Sequence, residues 1–274
     1  MTRTEFLRKQ TLDCAHRAAR TIMPSDWSTA DAPYGLNMRK ALAEKMLFDN
    51  MPVYIGEQEL IVGSRTMYGH KHEEINLSNV DYNVLPTYAN AQDTQDYLGC
   101  EGHSRAIGHT APDFSMLLSQ GIDGIIDNAN KALTSHTSVF KQEYIKGVIL
   151  LWESVSNWIL RYAEHAKEMC DRETDPKRKE ELQKIHTVCA HIAHKAPRDF
   201  WEAAQLFWFA QLSMIVEQYI FMNYGRVDQF LFPYFNTLDK GLEQQLVDCL
   251  LLKMYDGVDI VDQNTGTFSG TLNI

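Results

Sequence analysis

The residues best equipped for chemistry gather between Thr66 and Thr110: His70, His72, Cys100, His103, Arg105 and His109 fall within one polar, irregular stretch. A stretch that long without periodicity is uncommon inside a compact domain and is often functional. His109 stands just before Pro112-Asp113. A histidine there can hydrogen-bond a substrate hydroxyl or carboxylate and exchange a proton near neutral pH. Arg105 lies four residues earlier, and a guanidinium holds a carboxylate or sulfonate through two bonds. Both have a structural alternative, His109 ordering the loop and Arg105 forming a salt bridge. Cys100 with His103 or His109 would make the nucleophile and base of a hydrolase. No nucleophile motif surrounds it, and its other reading is a loop or core cysteine.

Two histidine pairs suggest metal and then fail to complete a site. His70-Lys71-His72-Glu73-Glu74 and His191-Ile192-Ala193-His194 each offer two nitrogens, but no third ligand is placed by spacing. The expectation is no metal, a solvated loop for the first pair and an exposed helix face for the second. Trp201, Phe207, Trp208 and Phe209 are expected as helical core rather than an aromatic cage. Arg226 and Asp228 read as a structural ion pair.

The elements that position these groups are mostly helical. Apolar residues recur at helical spacing over 1–22 (Phe6, Leu7, Leu12, Ala15, Ala19) and over 37–50 (Met38, Leu42, Met46, Leu47). Pro24 and Pro33 bracket the connector between them. Residues 51–56 and 59–63, each ending in glycine, predict short extended segments. A helix is predicted over 113–133 with Asp113 as its cap, although Gly121 and Gly124 lower its propensity. One long helix over 139–170 and another over 176–194, started by Asp175-Pro176, predict an antiparallel hairpin. Residues 200–221 read as a buried helix. Gly225-Arg226 breaks it, 227–235 and a helix over 241–254 follow, and the last twenty residues are loop-like.

The bulk properties bound the class. The 274 residues are 45% hydrophobic and 23% charged, an ordinary globular balance in a chain long enough to bury a core. A net charge of −10 and a pI near 5.4 disfavour nucleic-acid binding. The start has no apolar leader, and the longest apolar run, Val148-Ile149-Leu150-Leu151-Trp152, is too short to span a bilayer. Five scattered cysteines without a CxxC pair fit neither a disulfide framework nor a zinc pattern. The expectation is a cytoplasmic protein with no membrane role.

Four segments carry a resemblance. They are Met51-Pro52-Val53-Tyr54-Ile55-Gly56 running on to Ile61-Val62-Gly63; Gly108-His109-Thr110-Ala111-Pro112-Asp113-Phe114 with Gly121-Ile122-Asp123-Gly124-Ile125; Ala196-Pro197-Arg198-Asp199-Phe200-Trp201-Glu202-Ala203-Ala204-Gln205; and Gly225-Arg226-Val227-Asp228-Gln229-Phe230. Each is weak alone. In this order and at these separations, from about residue 34 to 254, they resemble the glycyl-radical enzymes of the pyruvate formate-lyase-like superfamily, and more closely its dehydratase, lyase and decarboxylase branch.

The resemblance implies an α/β, α-rich fold: residues 1–274 would be the N-terminal part of a ten-stranded α/β barrel, mostly helices with a few short strands. It implies a thiyl cysteine and a C-terminal radical glycine, the latter charged by an iron–sulfur, S-adenosylmethionine-dependent activating enzyme. Both family loops lie beyond the Gly-Arg-x-Asp-Gln segment, so the expectation is that this chain holds neither, binds no cofactor itself and is inactive alone. Gly99-Cys100-Glu101 is similar to the family's cysteine loop but stands before Gly108-His109, out of place. Implied partners are a small-molecule substrate, the activating enzyme, and a second copy or a complementing C-terminal half. Implied substrate contacts are His109, Arg105 and Phe221. Diol-dehydratase-like members carry a His-Ser pair where Ile220 and Phe221 stand here, which implies a more apolar or aromatic substrate. The alternative is a non-catalytic scaffold or accessory subunit that keeps the fold.

Overall fold

The computed structural model describes residues 1–14, 34–50, 53–63, 111–216, 223–256, 259–261 and 267–269. Helices dominate them: α1 (Arg3–Cys14), α2 (Leu36–Asn50), α3 (Phe114–Ser135), α4 (Val139–Arg172), α5 (Pro176–Ile192), α6 (Phe200–Val216), the short α7 (Val227–Leu231) running into a 3₁₀ turn (Phe232–Tyr234), and α8 (Lys240–Asp256). No helix among the described residues is long and apolar enough to cross a membrane.

The expected hairpin is present. Buried residues of α4 recur at three- and four-residue steps (Val155, Trp158, Ile159, Tyr162, Ala163, Ala166, Cys170), and α5, with Leu182, Ile185, Val188 and Ile192 buried, packs along this helix. The turn is tight because Glu173 accepts through Oε1 from the amides of Thr174 (2.8 Å) and Asp175 (2.9 Å). Asp175 then caps α5, accepting from the Arg178 amide at 2.7 Å, with Pro176 at the first helical position where its missing N–H costs nothing. Two cross-links fix the register: Ser156 Oγ donates to Ala193 O (2.7 Å), and His186 Nδ1 lies 2.9 Å from Ala163 O. Helix α2 also packs on α4, where a Cβ built on Gly147 would lie 3.4 Å from Ala41 Cβ.

Helix α3 is capped as expected, Asp113 Oδ1 accepting from the Met116 amide at 3.0 Å. It is not one continuous helix. Gly121 takes φ 69°, ψ 175°, which kinks it. The reason is tertiary: the turn after α5 passes so close that a Cβ on Gly121 would stand 2.4 Å from Ala196 N and 2.5 Å from Lys195 C, and the Asp123 amide donates to His194 O at 2.9 Å. Only glycine adopts this backbone without strain. Gly121→Ala is expected to lower stability by about 2–3 kcal/mol, read as a lower urea midpoint at unchanged slope. A loss under about 0.5 kcal/mol would mean the two segments do not touch.

Two expectations are corrected. Residues 53–63 form no strand. They make an irregular loop with a turn at Glu57-Gln58, because side chains of neighbouring helices, not a neighbouring strand, satisfy its backbone. The final segment is not loop throughout: β1 (Asp259–Val261) pairs antiparallel with β2 (Thr267–Ser269), Ile260 opposite Phe268, as β-branched and aromatic residues favour.

The expected core residues are core. Trp201 is 3% exposed, and Phe207, Trp208 and Phe209 are fully buried. Of the paired histidines, His191 is not exposed as expected. It is half-buried, its Nε2 2.9 Å from Ala196 O, while His194, past the end of α5, is exposed and 3.1 Å from Asp123 Oδ1.

Candidate functional site

Helix α6 organises the molecule through three faces. Trp201, Gln205 and Trp208, spaced i, i+4, i+7, form one ridge, and that ridge holds the loop 53–63. Trp201 Nε1 donates to Leu60 O (3.1 Å) and Trp208 Nε1 to Gly63 O (2.7 Å). Gln205 makes a two-way bond, Nε2 to Val62 O and Oε1 from the Val62 amide, both 2.8 Å. The amide side chain thus imitates the edge of a strand. Gly63 closes against Phe209 and Leu212 in a left-handed conformation (φ 99°).

From the other side, Arg178 of α5 donates to Glu59 O and Gly56 O, each at 2.9 Å. Glu59 accepts from the Gly56 amide at 2.9 Å and pairs with Lys253 of α8, carboxylate and ammonium both buried. Leu60, Ile61 and Val62 are fully buried. A buried loop is tolerated only when its polar groups are paired, and here side chains pair them.

The second face of α6 holds α3 and α7. Phe207 meets Phe114 edge-on (4.8 Å between centroids), Phe230 (5.1 Å) and Tyr224 (6.4 Å). The third face presents Phe209 to Trp158 (5.4 Å) and Tyr162 (5.1 Å).

Four points of the chain converge around Phe207 and Trp208. Gly63 is bonded to Trp208. Tyr224 lies on Phe207 and donates its hydroxyl to Met254 O at 2.7 Å. Gly225, at φ 69°, is so close to Ala111 that a Cβ built on it would lie 3.9 Å from Ala111 Cβ. Ala111 follows His109 by two residues, and Gly225 follows Phe221 by four. Arg105, His109 and Phe221 themselves lie outside the described residues, as do His70, His72, Cys100, His103 and Ile220.

The chemistry available among the described residues is that of a platform. Cys170, Cys189 and Cys249 are buried; burial pushes the Cys189 thiol far up and that of Cys249 to about 11, so neither is a thiolate near neutral pH. No group of three or more His, Cys, Asp or Glu among the described residues is placed to hold a metal. Arg226 and Asp228 form the expected ion pair, exposed and two-pronged, at 3.1 and 3.0 Å. The Arg226 guanidinium holds the Asp228 carboxyl below the usual carboxylate range. In a carbon-detected titration Asp228 is expected to titrate below about 3.9 and to return there in Arg226→Gln. A native value at or above the reference would show the pair unformed in solution. Because the folded value is depressed, what stability the pair gives is present above the unfolded value and lost as pH falls through the folded one. Being exposed, the pair is a weak stabiliser.

The loop clamp was the part least visible in sequence. Its only signal there is polar Gln205 inside the apolar run 203–210, and the i, i+4, i+7 spacing of Trp201, Gln205 and Trp208.

The described fold matches that of glycyl-radical dehydratases. The glycerol-bound B12-independent glycerol dehydratase from Clostridium butyricum superposes on 96% of this chain with a TM-score of 0.74 and 23% identity, over 40% of its own chain. The sequence profile described as pyruvate formate lyase-like matches residues 101–274. The chain belongs to that family. It is 33% identical over 175 residues to (2S)-3-sulfopropanediol dehydratase of Klebsiella oxytoca, covering 60% of this chain and 21% of that protein. It is 31% identical over 188 residues to the 4-hydroxyphenylacetate decarboxylase glycyl radical subunit of Clostridioides difficile strain 630, covering 63% and 21%. The chain thus spans about a fifth of the length of these relatives.

Proposed function

We propose that residues 1–274 are the N-terminal part of the α/β barrel scaffold of a glycyl-radical enzyme that breaks a C–C, C–O, C–N or C–S bond in a small polar molecule. The observation that carries this is the convergence of Gly63, Ala111, Gly225 and Met254 around Phe207 and Trp208, in a chain of this family. His109 stands two residues before Ala111 and Phe221 four before Gly225, and a Cβ built on Gly225 would lie 3.9 Å from Ala111 Cβ, which supports assigning both residues to one substrate site. Arg105 would hold the anionic end of a substrate, His109 a hydroxyl or its proton, and Phe221 the carbon skeleton. A sulfonated diol and a hydroxylated aryl carboxylate, named for two relatives, have that combination of anion and hydroxyl.

In this reading the chain binds and orients substrate and excludes water from it. The thiyl cysteine and radical glycine come from outside residues 1–274, and the radical is installed by an iron–sulfur, S-adenosylmethionine-dependent activating enzyme in an anaerobic cytoplasm. The chain works as a dimer or with a complementing C-terminal half. Exposed Phe232 (73%) and Phe140 (70%) support association, since apolar surface left open favours it.

The test is to purify residues 1–274 and incubate them anaerobically with the activating enzyme, alone and with the C-terminal half of the sulfopropanediol dehydratase. The expected result is no glycyl radical by electron paramagnetic resonance from the chain alone, and a radical with turnover in the mixture. A radical from the chain alone would overturn the division of labour. A folded mixture that binds no substrate and gives no turnover would favour the scaffold reading.

A further inference from the structure

Helix α1 is 12 residues long and starts with a capping box, the Thr2 amide donating to Glu5 Oε2 (2.7 Å) and the Glu5 amide to Thr2 Oγ1 (3.2 Å). A helix of that length is marginal by itself and depends on what it docks against. It packs on α8, yet among residues 1–10 only Leu7 is buried. The rest of the attachment is polar. Thr4 Oγ1 donates to Asp248 Oδ2 of α8 at 2.9 Å, and the Arg3 guanidinium pairs with the Glu181 carboxylate of α5. Docking also carries a penalty: Arg3 Nε and Gln10 Oε1 are buried without a hydrogen-bond partner. One buried leucine and two stranded polar atoms hold a segment far less firmly than the aromatic core holds α6.

What α1 meets is the clamp on the loop 53–63. Glu181 is shared: Oε1 pairs with Arg3, and Oε2 accepts from Arg178 Nη1 at 3.1 Å. Arg178 is the residue that holds Glu59 O and Gly56 O. Cys249 of α8 stands at the same junction. It is 3% exposed, its sulfur meets the Leu60 backbone, and the charges of Arg3, Glu59 and Lys253 all reach it.

We propose that α1 is a detachable strap over this junction. Docked, its Arg3 fixes Glu181, and through Glu181 the arginine that holds the loop. Released, Glu181 is free to turn outward, Arg178 loses a fixed counter-charge, and the loop and the Cys249 thiol open while the hairpin of α4 and α5 stays folded. Access to the loop is then set by the docking of α1 and not by the stability of the whole fold.

The test is made on the full chain with Arg3→Met and, as a control, Arg8→Gln, since Arg8 is exposed on the same helix. Iodoacetamide labelling in urea below the unfolding transition, resolved by mass spectrometry of the peptides, gives separate rates for two cysteines. Cys249 reports the strap, and Cys189, buried in α5, reports opening of the hairpin. Arg3→Met is expected to raise the Cys249 rate about tenfold, which is about 1.4 kcal/mol of docking free energy, and to leave the Cys189 rate within about twofold. Arg8→Gln should change neither. A Cys249 rate raised less than about twofold would show that Arg3 does not hold the strap. An equal rise at both cysteines would make α1 part of the cooperative core, and as large a rise in Arg8→Gln would show a general effect of charge. Each of these three results overturns the proposal.

Discussion

Replacing Trp208 with alanine is expected to lower folding stability by about 3–5 kcal/mol, the range for deleting a fully buried large aromatic side chain. Trp208 is completely buried, and it belongs to two structures at once. Its ring is part of the α6 core, and its Nε1–H is the partner of Gly63 O at 2.7 Å. Alanine leaves a cavity and an unpaired buried carbonyl together, so the cost should fall in the upper part of the range. Trp208→Phe separates the two contributions: it keeps most of the volume and loses the donor, for an expected loss of about 1–2 kcal/mol. Urea unfolding measures both. A loss below about 1 kcal/mol for the alanine variant would mean that α6 does not present this face to the loop.

Lys253→Met is expected to cost as much, about 3–5 kcal/mol, for a different reason. The Glu59 carboxylate is 2% exposed and would lose its counter-charge while still buried. Its remaining partner is the Gly56 amide at 2.9 Å. The double variant Glu59→Gln, Lys253→Met keeps an acceptor for the Gly56 amide and removes both charges, and it should return to within about 1–2 kcal/mol of wild type. If the single variant is as stable as wild type at pH 7, or the double variant is worse than the single, the pair is not the link between loop and α8.

Both predictions concern parts of the molecule that local sequence signals reveal unequally. The helices α2, α4 and α8 were legible from apolar spacing because a helix that buries one face must repeat near every third or fourth residue, and α5 from its Asp175-Pro176 start. The caps Asp113 and Asp175 were legible because a cap is a local bond, reaching three residues along the chain. The aromatic cluster at 201–209 was legible as core for the same reason, since a helix apolar nearly all round has nowhere to lie but inside.

What misled was the apolar, glycine-ended segment 53–63. Its composition is that of a strand, and composition carries no information about which partner will satisfy a backbone. That was decided by Arg178 and Lys253, more than a hundred residues away, and by one ridge of α6. The kink at Gly121 was likewise set by the approach of residues 194–196, not by helix propensity.

Sequence alone determined the family and the helical frame, because four ordered motifs and a repeated spacing are properties of the chain read along its length. It also named His109, Arg105 and Phe221, which stand outside the described residues. Only the tertiary structure brought Ala111 near Gly225, paired Glu59 with Lys253 and left the buried Gln211 Oε1 without a partner. Contacts between distant residues depend on how whole helices pack, and an unpaired buried group is defined by what surrounds it in space, which no spacing along the chain contains.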